Sequence, residues 1–509
     1  MSWLFFFLYM SAFLFVLRKL KLNSYRVINH NILFVIFFLK ILIGISLNII
    51  YSEYYQDRKT SDIYKYFDDS KYIHHSLTNN PLHFFQLITG INDKNPQLDI
   101  YLDSTLHWKK QSKEFSNFTQ TSNVTFSNHR TITKFNAIMR IFSFGNINTH
   151  VLIMSFISLI GCLLIFKSFY EFIPINNLKI YLVMIFLTPS IIIWSSGLLK
   201  EGLLFFAFGL YFNSLFNLSK NYYRNAAILL FSFFLIFILK YYLFIIIVPL
   251  TLLYLIPSKT NKHTIAKYVV FLFFIASLFN FSENFNYQVN QMLNNKRTEQ
   301  VRVAVGGYYY LQFNNKNTSR LVRFTNPLKE ISKIDYQNNL NTENTFFKAK
   351  PGLQYQVFNS DLNNDTLTTN SEFKYYFLDS FQKAGSYYQL PKIGKSSINF
   401  IKSILKAVSN VFFKPFNFLE GSLLLTLASF ENLLFFIFIL FLLFKRKIQI
   451  VNLNLLLFNL LFIFMLYTVI GLTIPVLGGL ARYKILGFLL LLISLVMIFD
   501  KKRIKNKIL

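Results

Sequence analysis

The chain has 509 residues, of which 53% are hydrophobic and only 15% charged. The apolar residues, led by 62 Phe, come in long blocks, which excludes a string of soluble domains and points to an all-α polytopic membrane protein. The net charge of +29 gathers in short loops between those blocks, so it reads as the positive-inside rule and no nucleic-acid partner is expected.

Taken in chain order, the apolar blocks predict about eleven transmembrane helices, near 2–17, 31–52, 149–166, 180–196, 202–217, 226–239, 241–256, 268–281, 424–444, 450–472 and 485–499. The first lacks a basic leader and a small-residue cleavage site, so it is expected to stay as an anchor. The stretch 226–256 is divided at Lys240, because a lysine in mid-bilayer costs at least about 2.5–3.5 kcal/mol. The single Cys162 lies inside an apolar run and excludes a disulfide framework or a cysteine-based metal site.

The chain then divides into the first two spans (1–52), a polar segment (53–148), a central bundle (149–281), a second polar segment (282–423) and the C-terminal spans with a basic tail (424–509). The short loops at 18–30, 167–179, 218–225, 257–267 and 445–449, with the tail 500–509, hold 19 Lys and Arg against only Glu171 and Asp500. They fall on one side of an eleven-span alternation, which makes that side the cytoplasm of a multi-pass protein of the cell inner (plasma) membrane. The N-terminus and both long mixed segments are then extracytoplasmic, and the C-terminus is cytoplasmic. Residues 399–416 place apolar side chains at helical spacing with lysines between them, as a helix lying in the outer membrane interface does.

Polar chemistry collects at the outer span ends. After the second span come Asp57, Asp62, Asp68 and Asp69. Asp62 and Asp69 are seven apart and share a helix face, with Ser61 or Asp62 as N-cap; a solvated acidic loop is the plainer explanation. The fourth span ends at Pro189, Trp194, Ser195, Ser196 and Gly197, followed by Lys200 and Glu201. These could be a hairpin tip, or a buried turn that needs partners. Lys240–Tyr241 forms the next outer turn, either a snorkelling lysine or a ligand for anions. Arg482 and Tyr483 stand at the mouth of the last span. Glu431 lies within the ninth, where a carboxylate is either functional or paired with a neighbouring helix. Gly306-Gly307 ahead of Tyr308–Tyr310 reads as a turn feeding strands or an aromatic surface. Walker-type, dinucleotide-binding and His-Glu-x-x-His patterns are absent from the sequence.

Three of these stretches carry a family likeness. SDIYKYFDD (61–69) resembles the acidic first outer loop of GT-C-type integral-membrane glycosyltransferases. PSIIIWSSGLLKEGLLFFAFGLYF (189–212) is similar to a later Pro…Ser…Glu helix of their mannosyltransferase-like members. ARYKILGFLLLLI (481–493) resembles an Arg-Tyr-x-x-Pro turn, with Leu486 where the proline is usual. The layout also resembles membrane proteins of bacterial polysaccharide clusters.

The resemblance implies transfer of a sugar from a polyprenyl-phosphate or diphosphate donor to a glycan or lipid acceptor hydroxyl at the outer face, in cell-envelope polysaccharide biosynthesis. Asp62 is then expected as base, followed by Asp69 and Asp68. Lys240, Arg482 and Lys200 are expected on the donor phosphate, supported by Tyr64, Glu201, Trp194, Ser196, Tyr241 and Tyr483. No protein-held metal is required, although carboxylates could hold a divalent cation on the donor. Two other functions compete: an oligosaccharide repeat-unit polymerase of the same pathway, and a transporter or flippase for lipid-linked glycans, in which Glu431 would be the sensitive residue.

Overall fold

A computed structural model describes residues 2–22, 25–54, 61–92, 95–105, 108, 128–281, 283–305, 309–312, 319–324, 334–337, 346–349, 354–357, 366–368, 373–376, 384–393, 397–416, 422–448 and 450–501. Asp57 and Gly306–Tyr308 lie outside them. The chain divides into two compact units. One comprises 1–265, 434–463 and 485–509, and the other 266–433 and 464–484.

The protein is a multi-span helical membrane protein. Five helices are long and apolar enough to cross a bilayer, or seven if two bent pairs each count as one span. This is a count among the described residues. It includes His30–Glu53, Ile147–Phe172 and Tyr222–Leu239, with Tyr241–Leu255 as a shorter apolar helix.

The first unit opens with α1 (Ser2–Lys19) and α2 (His30–Tyr54). The polar segment that follows is helical where it is described: α3 (Asp62–Asn79), α4 (Pro81–Thr89) and α5 (Asn128–Ser143). Then come α6 (Ile147–Phe169), α7 (Leu178–Phe186), α8 (Pro189–Ser196), α9 (Lys200–Phe216), α10 (Tyr222–Leu239) and α11 (Tyr241–Leu255), and then α12 (Asn261–Phe281), whose residues from 266 onward belong to the second unit. The expected fourth span is thus two helices bent by 40°. Pro189 starts the second of them, where its missing N–H costs no hydrogen bond. The break at Lys240 falls where the charge argument puts it, between α10 and α11.

Small residues set the closest approach in this bundle. A Cβ on Gly161 would meet the Phe205 backbone at 2.5 Å, and one on Gly209 would meet the Gly161 carbonyl at 2.5 Å. The axes of α6 and α9 therefore cross backbone to backbone, with Phe205, Phe208 and Phe212 buried around the crossing.

In the second unit α13 (Glu283–Val305) precedes seven strands: β1 (Tyr309–Gln312), β2 (Ser319–Phe324), β3 (Ile334–Gln337), β4 (Phe346–Ala349), β5 (Gln354–Val357), β6 (Thr366–Thr368) and β7 (Phe373–Tyr376). They form one antiparallel sheet in the order β3-β4-β7-β1-β2-β5-β6. The helical architecture therefore holds for the membrane-crossing part, and 309–376 departs from it. The period-2 strands there are short and separated by Asn- and Lys-rich connections, which hides them in a hydropathy profile.

Helix α14 (Ser397–Phe413) follows, at the place expected for an interfacial helix. It buries Ala407 and Val411 and exposes Ile398, Ile401 and Leu405. The chain ends with α15 (Leu423–Lys445), β8 (Arg446–Ile448), α16 (Leu453–Thr473), α17 (Leu477–Tyr483), α18 (Ile485–Ile498) and β9 (Phe499–Lys501), β8 pairing antiparallel with β9.

Candidate functional site

Helix α3 begins at Ser61, whose backbone is extended and whose side chain makes no capping bond. Asp62 in the first turn suits the positive end of the helix dipole. Asp62, Tyr66 and Asp69 follow at i, i+4 and i+7 and form one stripe. Tyr66 and Asp69 are buried, each 2% exposed, and Asp62 and Asp68 are half-buried. The solvated acidic loop is therefore not what the structure shows for Asp69.

The connection between α8 and α9 comes to this stripe. Ser195, Ser196, Lys200 and Glu201 are all buried. Lys200 Nζ lies 5.5 Å from the centre of the Tyr66 ring, within cation–π range. The Lys200–Glu201 turn is thus an interior feature. Glu201 Oε1 accepts from Lys240 Nζ at 3.0 Å, and the two side chains are 1% and 5% exposed. Lys240 is held in the interior by an acid and does not snorkel. Trp194 is buried beside Ser195, and Tyr241 is half-buried at the start of α11. Tyr64 donates its hydroxyl to the Asn48 carbonyl at 3.2 Å, which ties α3 to the end of α2.

Helix α5 fixes α3 from beside that stripe. Arg140 donates through Nε to Ser70 Oγ at 2.7 Å and through Nη2 to the Phe67 carbonyl at 2.7 Å, and its guanidinium lies 4.2 Å from the Phe67 ring centre. Burial holds the guanidinium below its ordinary range, at about 10, and the Asp68 carboxylate counteracts that. The His74 imidazole is also held below its ordinary value, first by burial. Thr131 Oγ1 donates to the Ile238 carbonyl at 3.1 Å, tying α5 to the end of α10 just before Lys240.

A second array lies beneath Phe67. His150 Nδ1 is 2.8 Å from Asn136 Oδ1, and His150 Nε2 is 2.6 Å from Ser143 Oγ. An amide oxygen only accepts, so Nδ1 carries the proton and Ser143 donates to Nε2. The order Ser–His–Asn is that of a nucleophile relay. All three residues are fully buried, however, so the array pins the α5–α6 corner. At that corner Phe144 adopts φ 49° and Gly145 φ 79°. Lys40, buried within α2, donates to Ser195 Oγ at 2.6 Å.

In the other unit Arg482 is buried and Tyr483 half-buried on α17. Glu431 is buried near Lys484, and the two attract electrostatically. Lys484 Nζ donates to the Lys414 carbonyl at 2.8 Å and to Asn432 Oδ1 at 2.9 Å. The intramembrane acid thus has a basic partner in its own unit.

Sequence reading missed Lys40, Arg140, His150 and Lys484. Only Lys40, an isolated charge inside an apolar run, gave a signal that could have found it. Among the described residues no group of three His, Cys, Asp or Glu is placed to hold a metal ion.

No protein-family model, no curated protein and no solved structure matches the chain.

Proposed function

We propose that the protein is a membrane glycosyltransferase that moves a sugar from a polyprenyl-(di)phosphate donor to an acceptor hydroxyl. The observation that carries this reading is the placement of Lys200 against Tyr66, on the stripe shared with Asp62 and Asp69. A carboxylate able to take a proton and a cation able to meet a phosphate then belong to one unit, the cation of α9 lying against the face of α3 that carries the acids.

In this reading Asp62 accepts the proton of the acceptor hydroxyl. The hydroxyl oxygen bonds to the anomeric carbon as the bond from that carbon to the donor phosphate oxygen breaks. Lys200 offsets the charge that develops on the departing phosphate. Asp69 and Asp68 follow Asp62 as candidate bases. Lys240 takes a supporting place, because Glu201 already engages it. Tyr64 sets α3 on α2. Arg482 and Tyr483 belong to the other unit, and the reading rests on the first unit alone.

The likeness of 61–69 and 189–212 to GT-C-type enzymes supports the same chemistry. The charge asymmetry of the short loops supports eleven crossings, a cytoplasmic C-terminus and a site at the outer face of the plasma membrane. A repeat-unit polymerase would use the same groups. A carrier would depend on Glu431, for which electrostatic attraction to Lys484 offers a structural task instead.

The test is Asp62→Asn in the full chain, reconstituted in liposomes with polyprenyl-phosphate sugars. Product formation should vanish while insertion and abundance stay normal. Undiminished synthesis by that variant would remove Asp62 as the base.

A further inference from the structure

Between Asp379 and Glu420 the chain carries six lysines and no acid. Helix α14 lies in that stretch, and its sides divide by chemistry. Ser403, Ala407 and Val411, at i, i+4 and i+8, are buried. A Cβ on Gly471 would run into the Ala407 carbonyl, so this side rests on α16 two residues before that helix ends at Thr473. Lys484, just after α17, donates to the Lys414 carbonyl at 2.8 Å and holds the far end of α14. Helix α16 is long and apolar enough to cross a bilayer. Helix α14 is therefore fastened at the end of a span, where hydrocarbon gives way to headgroups.

The other sides of α14 are open. Ile398, Ile401 and Leu405, at i, i+3 and i+7, are each more than half exposed. Lys402, Lys406 and Ser409 form the next row round the helix and are exposed too. Among the described residues no carboxylate pairs with Lys402 or Lys406. Lys406 also repels Lys414, whose Nζ lies 4.1 Å from the centre of the Tyr388 ring. An open apolar row beside an open basic row suits an anionic bilayer surface. The apolar side chains enter the acyl region, and the lysine stems lie along it and lift their ammonium groups to the headgroups. A second copy of the chain fits this face less well, because a two-fold contact through it would bring two lysine rows together.

We propose that α14 binds anionic phospholipid, with Lys402 and Lys406 on the headgroup phosphates and Ile398, Ile401 and Leu405 among the acyl chains. The phosphates supply the negative charge that residues 380–419 lack. This gives the helix a partner of defined chemistry, beyond a place at the membrane interface, and it stands independently of the transferase reading.

The experiment places the full chain in nanodiscs of mixed phosphatidylcholine and phosphatidylglycerol that carry a trace of one or the other lipid with a photo-crosslinking acyl chain. Peptide mass spectrometry then maps the labelled residues. Phosphatidylglycerol should label 397–416 in excess over phosphatidylcholine, and the excess should shrink with added salt. Lys402→Gln with Lys406→Gln should lower the excess by about fivefold for each charge removed, the effect of one basic side chain at an anionic membrane surface. Arginine at both positions should retain it. Labelling of the basic loop 257–267 should stay the same in every variant. Both lysines are exposed, so the thermal melt in pure phosphatidylcholine should not fall. Equal labelling of 397–416 by the two lipids, no labelling there, or an excess that the glutamine variant leaves unchanged would overturn the proposal. So would ready disulfide-linked dimers of Ile401→Cys in a Cys162→Ser chain, which would hand the face to a second copy.

Discussion

Lys200 Nζ sits 5.5 Å from the ring centre of Tyr66, although 134 residues separate the two in sequence. The contact sets the first turn of α9 against the acidic stripe of α3. It makes Lys200, ahead of Lys240, the cation of first interest.

If that cation meets the departing phosphate, Lys200→Met should lower turnover by about 10²–10³-fold, the range seen when one preorganised electrostatic donor is removed. Lys200→Arg should restore part of it. Initial rates in liposomes measure both, and a thermal melt in detergent should show the variants folded.

The Lys240–Glu201 pair is buried on both sides. Breaking it from one side strands a charge in the interior, at a cost of about 3–5 kcal/mol. Lys240→Met and Glu201→Gln should each lower the melting temperature sharply. The double variant should recover much of the loss. Additive losses in this double-mutant cycle would show that the two charges do not act as a pair.

Arg140 donates to a hydroxyl and a carbonyl of α3. Arg140→Ala should destabilise the α3–α5 contact by about 3 kcal/mol or more, given about 1.5–3 kcal/mol per hydrogen bond to a charged group. Limited proteolysis should then cut within 62–79 before the membrane helices open. Unchanged protection of α3 would refute the role.

His74 has a folded-state value below its ordinary 6.5, because burial disfavours the imidazolium. Its neutral form therefore favours the folded state. This contribution is complete above about pH 6.5 and is lost as pH falls through the lowered folded value. The melting temperature of the native protein should drop more between pH 7.5 and pH 5.5 than that of His74→Gln. Parallel pH curves for the two would exclude His74 as a contributor.

Part of this arrangement was legible in the sequence. The Asp62–Asp69 stripe follows from a seven-residue spacing, and the α10–α11 break from the cost of a lysine in hydrocarbon. Both are local rules acting on adjacent residues. Arg140 and Ser70 lie 70 residues apart, and nothing in either local pattern pairs them. The burial of Lys200 was equally hidden, since a short polar turn looks the same whether water or α3 covers it. Of the strands in 309–376 only the first, β1 at Tyr309–Gln312, lies where the sequence offered a turn feeding strands, and the others gave no signal because each is only three to six residues long.

Where α6 and α9 meet at Gly161 and Gly209, the two polypeptide ridges interlock with no room for a methyl group. A joint of that kind resists shear along α9. In the transferase reading, Lys200 at the start of that helix would be a preorganised charge, set when the chain folds and not at each turnover. In the transferase reading, an incoming headgroup would have to fit itself to that fixed point, so selectivity for its length and charge would be built in before it arrives.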